Sequence, residues 1–266
     1  MGVFIKTYAA ETHKRPAGSR PLSILMIGDL HGKQYGRQNR ELLEAIRRMR
    51  PDFAVTVGDM MLSVPDFDIT DLLTFYEELR GICPVFAVNG NHETKMKLHT
   101  VTFGTIYKEY DHELQRMGVH VMNNSGISAV IDGMPLRVCG YEAPLEKYAR
   151  FRIPKCREDE IRDALGRCEA EPYTILLAHD PAFAKTYFKW GADLILSGHY
   201  HGGLIRVGRQ ALMSPYGFPL PRYGYGMYRN GEQTMIVTAG AGNHRIPVRI
   251  GNPEEIVQII IDHAEE

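Results

Sequence analysis

Asp29 and His31 stand two residues apart, directly after the apolar run LSILMIG. Asp59 follows FAVTVG, Asn91-His92-Glu93 follows VFAVNG, His179 follows TILLA, and His199-Tyr200-His201 follows LILSG. Oxygen donors and imidazoles therefore gather wherever a strand-like run stops. Nitrogen and oxygen donors without thiolate suit Mn²⁺, Fe or Zn²⁺ with five or six ligands. Two such ions roughly 3.5–4 Å apart, bridged by a carboxylate and a hydroxide, make a centre for phosphoester hydrolysis. They acidify the bridging water and neutralise charge on the phosphoryl oxygens. A single Asp after a strand is ordinarily a turn or cap residue. The expectation rests on the joint arrangement.

Strands are needed to deliver these donors. LSILMIG, FAVTVG and PVFAVNG alternate with segments of helical spacing at 37–49, 71–80 and 105–117. The second of these is expected to end at Gly81, with Pro84 beyond it. This βαβαβ order implies a mostly parallel sheet with helices packed on it. VHVMNN, GISAVIDG and MPLRVCG are separated by Asn123-Asn124 and Asp132-Gly133 and read as hairpin-linked antiparallel strands. Helices at 157–168 and 181–188, with TILLA and LILSG, restore the βαβ pattern, and GGLIRV, GMYRNG, QTMIVTAG and EIVQIIID add further strands. VFIKTYAAET near the start reads as an edge strand. The expected class is α/β: two mixed sheets packed as a sandwich, flanked by helices, with residues 1–266 as one domain. Ligands in such sheets bind beyond the carboxyl ends of the strands, where every donor cluster falls.

GDLHG, GDMM, GNHE, AHD and GHYHGG occur in that order between Gly28 and Gly203. Together they resemble the five-block signature of calcineurin-like metallophosphoesterases, a family of αββα fold. The resemblance implies that Asp29, His31 and His201 hold a first metal ion, that Asn91, His179 and His199 hold a second, and that Asp59 bridges both. It implies that His92 protonates the leaving-group oxygen as a general acid and that Glu93 orients His92. GGLIR, the Pro/Gly/Tyr-rich stretch 213–228 and Pro253-Glu254-Glu255 extend the likeness to the bacterial branch of YkuE- and YaeI-type phosphodiesterases. That branch is often membrane-anchored or exported.

Departures from the family pattern narrow the reading. Leu62-Ser63 stands where serine/threonine protein phosphatases carry an Asp-Arg pair, which argues against phosphoprotein hydrolysis. Tyr200 stands between the last two histidines in place of the more usual Thr. Tyr141-Glu142 is a candidate supporting or rim group. His244 and Arg245, in the glycine-rich AGAGNHR loop, are candidates for the pocket and for a substrate phosphate. Tyr216, Phe218, Tyr223 and Tyr225 either pack a surface loop or wall an apolar pocket.

Net charge is −1, which gives no electrostatic case for nucleic acid. The four cysteines form no CxxC pair, and buried free thiols are expected. No run approaches the ~18 apolar residues of a membrane span. The abrupt start allows an upstream anchor, so a membrane-tethered or exported protein stands beside a cytoplasmic one.

The expected function is phosphodiester or pyrophosphate hydrolysis of a small-molecule or lipid-linked substrate. It would use two divalent ions, with Mn²⁺ or Fe favoured over Zn²⁺ because the ligands are oxygen-rich. The alternatives are a phosphomonoesterase or nucleotidase, and a non-catalytic binding module on the same fold.

Overall fold

The computed structural model describes residues 4–152, 155–203, 205–243 and 249–265. In chain order its strands are β1 (Phe4–Thr12), β2 (Leu22–Ile27), β3 (Phe53–Thr56), β4 (Val85–Ala87), β5 (His120–Val121), β6 (Ser125–Ile131), β7 (Met134–Tyr141), β8 (Tyr173–Ala178), β9 (Leu194–Ser197), β10 (Arg206–Val207), β11 (Gln210–Ala211), β12 (Gly226–Asn230), β13 (Gln233–Val237) and β14 (Glu255–His263). The helices are α1 (Arg40–Met49), α2 (Thr70–Ile82), α3 (Asn91–Leu98), α4 (Thr100–Phe103), α5 (Ile106–Arg116), α6 (Glu158–Leu165) and α7 (Ala184–Trp190).

Two six-stranded mixed sheets result. The first runs β1-β14-β2-β3-β4-β5 and the second β12-β13-β9-β8-β7-β6, while β10 and β11 form a separate ribbon. β2 to β5 are parallel, as are β7, β8, β9 and β13. Every residue of β2, β3, β4, β8 and β9 is buried, as expected for parallel strands covered on both faces. Side chains alternate between the two faces. Ile24 and Met26 of β2 join the core between the sheets, with Val138, Ile175 and Leu196. Leu25 and Ile27 face outward onto α1 and α2, against Leu42, Ile46 and Phe75. A third core packs α6 and α7 on the outer side of the second sheet.

The expected sandwich is present, and its edge strand is β1. Two sequence-based expectations need correction. First, α2 runs through Gly81 to Ile82 and stops only at Cys83, in extended backbone. Pro84 sets that end, because its ring disfavours helical backbone in the residue before it. Second, VHVMNN is not part of a hairpin. Its strand β5 continues the first sheet parallel to β4, while β6 and β7 form a hairpin in the second. Asn123 and Asn124 mark the passage between sheets. Asn123 Oδ1 accepts from the Asn89 amide (2.9 Å) and Asn124 Oδ1 from the Glu142 amide (3.0 Å), tying the ends of β4 and β7 together.

Candidate metal centre and active site

The segments after β2, β3, β4, β8 and β9 meet at one edge of the sandwich. The Asp29 amide donates to Gly58 O (2.9 Å) and the His31 amide to Asp59 O (3.0 Å), which lays the first two loops side by side. Asp29 also reaches the second sheet, where its carboxylate accepts from the His199 amide at 3.0 and 3.1 Å. Glycine makes these approaches possible. A Cβ at Gly90 would overlap Asp59 Oδ1, and one at Gly198 would come within 2.5 Å of Asp29 Oδ2.

Asp29, His31, Asp59, His199 and His201 all adopt positive φ, at 52, 52, 53, 64 and 49°. Non-glycine residues in this left-handed region cost of order 1–3 kcal/mol each. These turns leave Asp29 and His31 in one donor group with His201, and put His199 in another with Asp59 and His179. No periodicity in the sequence announces this strain.

Three donor groups form: Asp29, His31 and His201; His31, Asp59 and His92; and Asp59, His179 and His199, each residue offering one donor atom within 4.8 Å of the others in its group. His31 Nε2 lies 3.0 Å from His201 Nε2, with the rings nearly parallel. His201 Nε2 lies 3.4 Å from Asp29 Oδ1. The His179 ring donates from Nδ1 to Val57 O at 2.6 Å. In a neutral ring this leaves the Nε2 lone pair facing Asp59 Oδ2, 3.2 Å away. Two electron-rich atoms at that distance need a proton or a cation between them. Asn91 Oδ1 is also buried without a hydrogen-bond partner among the described residues. Donor types, convergence and these facing lone pairs all fit divalent metal.

The ionisation of these groups is strongly interdependent. Burial, with the Asp59 charge adding to it, pushes the Asp29 carboxyl up to about 7. Burial and then Asp59 push Glu93 up to about 7. For His179 burial favours the neutral ring, but Asp59 outweighs it and raises the imidazole to about 10. Burial also opposes ionisation of Asp59, yet His179 and His92 hold it well below the usual range.

The sign of the pH dependence follows. The raised Asp29 and Glu93 destabilise the folded state increasingly from their unfolded values near about 4 up to about 7. The His179 contribution is full below about 6.5 and is lost as pH rises through about 10. The Asp59 contribution is lost only in acid below its unfolded value of about 4. Metal-free protein is therefore expected to melt roughly 5 °C lower at pH 8.5 than at pH 5.5, and saturating divalent metal should close that gap. Thermal denaturation with chelator at both pH values checks this. A metal-free form more stable at pH 8.5 would contradict it.

Two roles differ from the expected ones. Among the described residues, no hydrogen bond joins the Glu93 carboxylate to His92. The carboxylate accepts from the amides of Asp59 (2.9 Å), Met60 (2.8 Å), Met61 (3.1 Å) and Gly90 (2.9 Å), and so fixes the loop that presents Asp59. The Ser63 amide orients His92, donating to Nδ1 at 2.8 Å. This leaves Nε2, 3.9 Å from Asp59 Oδ2, as the proton-bearing nitrogen. A main-chain donor leaves no mark in residue identity, so the sequence does not single out Ser63 for this role.

A pocket of about 460 Å³ opens over the centre, walled by Leu62, Tyr148, Tyr200, Met213 and Pro215, with Lys95 and Arg150 at its sides. No motif in the sequence marks Tyr148. Its ring centroid lies 5.0 Å from that of His199, in edge contact. The tyrosines of the aromatic loop mostly pack. Tyr216 is buried and donates to the Asp180 carboxylate, while Tyr225 donates to Glu255 at 2.9 Å. Glu142 supports α3 from below, accepting from Asn89 and Thr94 at 2.9 Å and from Lys97 at 2.8 Å. All four cysteines are free, and Cys83 and Cys139 are buried. His244 and Arg245 lie outside the described residues.

The fold and this site define a metallophosphoesterase domain. The chain belongs to the calcineurin-like phosphoesterase family, whose profile matches residues 22–203. It is 28% identical to a cattle transmembrane protein with a metallophosphoesterase domain, over 98% of this chain and 57% of that protein. It is also 28% identical to an uncharacterized metallophosphoesterase of Aquifex aeolicus, over 97% of this chain and 91% of the relative. To the uncharacterized metallophosphoesterase YkuE of Bacillus subtilis it is 23% identical, over 90% and 79%. The chain thus spans little more than half the length of the transmembrane relative. No helix among the described residues is long and apolar enough to cross a membrane.

Proposed function

We propose that this chain is the catalytic domain of a phosphodiesterase or pyrophosphatase that works with two divalent ions. The observation that carries this reading is Asp59, whose carboxylate belongs to two donor groups at once, with His31 and His92 on one side and His179 and His199 on the other. Asp29, His31 and His201 would hold one ion, and Asn91, His179 and His199 the other. Bound divalent ions supply Lewis acidity and lower the pKa of coordinated water. Mn²⁺ or Fe suits this oxygen-rich set better than Zn²⁺.

His92 presents Nε2 toward the centre, where it can donate to the oxygen of the departing group. Glu93 keeps Asp59 and the 59–61 loop in register, and the Ser63 amide keeps the His92 ring in place. Lys95 and Arg150 bring positive charge to the mouth. The apolar walls supply room for a second ester substituent, which a monoester would leave uncontacted. Lipid-linked and small-molecule esters both meet these requirements. The transmembrane relatives support a membrane-tethered setting for a longer protein containing this domain.

The test is a parallel assay of metal-loaded protein on bis- and mono-p-nitrophenyl phosphate. The diester is expected to show a kcat/KM at least about tenfold higher, equivalent to roughly 1.4 kcal/mol of extra contact in the transition state. A clear preference for the monoester would replace the diesterase reading.

A further inference from the structure

A second cleft lies between α7 and β12, at the outer edge of the second sheet. We propose that it is an anion site, separate from the catalytic pocket, that takes a phosphate-bearing group. It encloses about 460 Å³, and its walls carry Lys185 and Lys189 from α7, Arg229 from β12 and Arg222 from the loop before β12. None of these residues lines the catalytic pocket.

The charge is concentrated and largely uncompensated. The whole chain has a net charge of −1, yet four cations surround this one cleft. Among the described residues, the one carboxylate within ion-pair distance of any of them is Glu158, 2.7 Å from Lys189. Like charges around a shared cleft repel, and an anion placed between them removes that cost while accepting charge-assisted hydrogen bonds.

Aromatic rings preorganise the cleft. Tyr223 packs edge-on against Tyr228 with centroids 5.0 Å apart, and its centroid lies 6.5 Å from that of Phe188. The Arg222 guanidinium lies over the Tyr223 ring, 5.4 Å from its centroid. A guanidinium held by a ring face loses less freedom on binding and offers a planar fork matched to phosphate.

The neighbouring surface bears on the source of the phosphate. Leu220, two residues before Arg222, is 60% exposed with φ of 49°, and Phe218 is exposed beside it in sequence. Exposed apolar side chains two and four residues before a cleft arginine suit an anionic lipid, whose headgroup the cleft would take, and a soluble polyphosphate offers the cleft the same chemistry.

The experiment uses the full chain in metal-free form with two probes. Binding of inorganic pyrophosphate is measured by calorimetry, and binding to phosphatidylglycerol vesicles by co-sedimentation, with phosphatidylcholine vesicles as reference. At least one probe should bind, and added salt should weaken it. R222E/R229E should weaken that binding at least about tenfold while melting at the wild-type temperature and keeping bis-p-nitrophenyl phosphate turnover. If the source is lipid, L220S also reduces sedimentation and phosphatidylcholine fails to bind. If it is soluble, pyrophosphate binds and L220S has no effect. The milder R229Q variant, expected to give a smaller loss, guards against a folding defect. The proposal is overturned if neither probe binds the wild type, or if charge reversal leaves binding unchanged.

Discussion

Asp59→Asn is expected to reduce metal content to at most one ion per chain and to lower kcat/KM by more than about 10²-fold. The magnitude has a lower bound. Loss of a partner one shell away from a metal typically costs about 10–100-fold, and Asp59 is placed to be a direct ligand shared by two ions. Its two oxygens have separate tasks. Oδ1 accepts the His92 amide at 2.8 Å, while Oδ2 faces His179 Nε2 at 3.2 Å. Asparagine preserves size but removes the charge that holds both donor groups together. It also points either an NH₂ at the cation position or an NH₂ at the His92 N–H. The effect should therefore appear in metal analysis after dialysis as well as in turnover. Two ions retained by Asp59→Asn would refute the bridging assignment, whatever the activity.

His92→Ala is expected to do the opposite: metal content stays, and kcat falls by about 10²–10⁴-fold, the usual worth of positioned acid–base catalysis. Metal binding survives because the contact that steadies Asp59 comes from the His92 main chain, which alanine keeps. The loss should grow as the leaving group becomes more basic. An alkoxide needs a proton or a strong donor as it departs, whereas p-nitrophenolate needs little help. Comparing alkyl and p-nitrophenyl esters of the same phosphate measures this. Full activity of His92→Ala on an alkyl ester would remove His92 from the mechanism. The two variants thus separate construction of the centre from proton delivery.

Glu93 shows how adjacency in sequence can mislead about what a carboxylate contacts. The block GNHE marks it, and adjacency to His92 suggests a direct dyad. The structure gives it four main-chain amides instead. A buried carboxylate with four donors already in place has no reason to turn toward an imidazole. Ser63 is the converse case, since its amide holds His92 and its side-chain type plays no part in that bond. Tyr148 ends a short 3-10 turn that lies about 30 residues before the nearest metal block and about 50 before His199, and only folding brings it beside His199.

The sequence alone determined the chemistry and its address. Donor types are fixed by residue identity. Placing each of them directly after an apolar, doubly buried strand puts them at the carboxyl ends of parallel strands, on one side of whichever sheet each strand joins. The order of the five blocks was sufficient for the family resemblance. Tertiary structure decided what depends on distances across the chain. It set which sheet each strand joins, how five candidate metal ligands adopt left-handed backbone, which main-chain amides fix Asp59 and His92, and where cations gather at the second cleft. Main-chain donors, backbone strain and convergence of distant loops are properties of packing. The linear order of side chains does not encode them locally, so they became legible only once the two sheets were brought face to face.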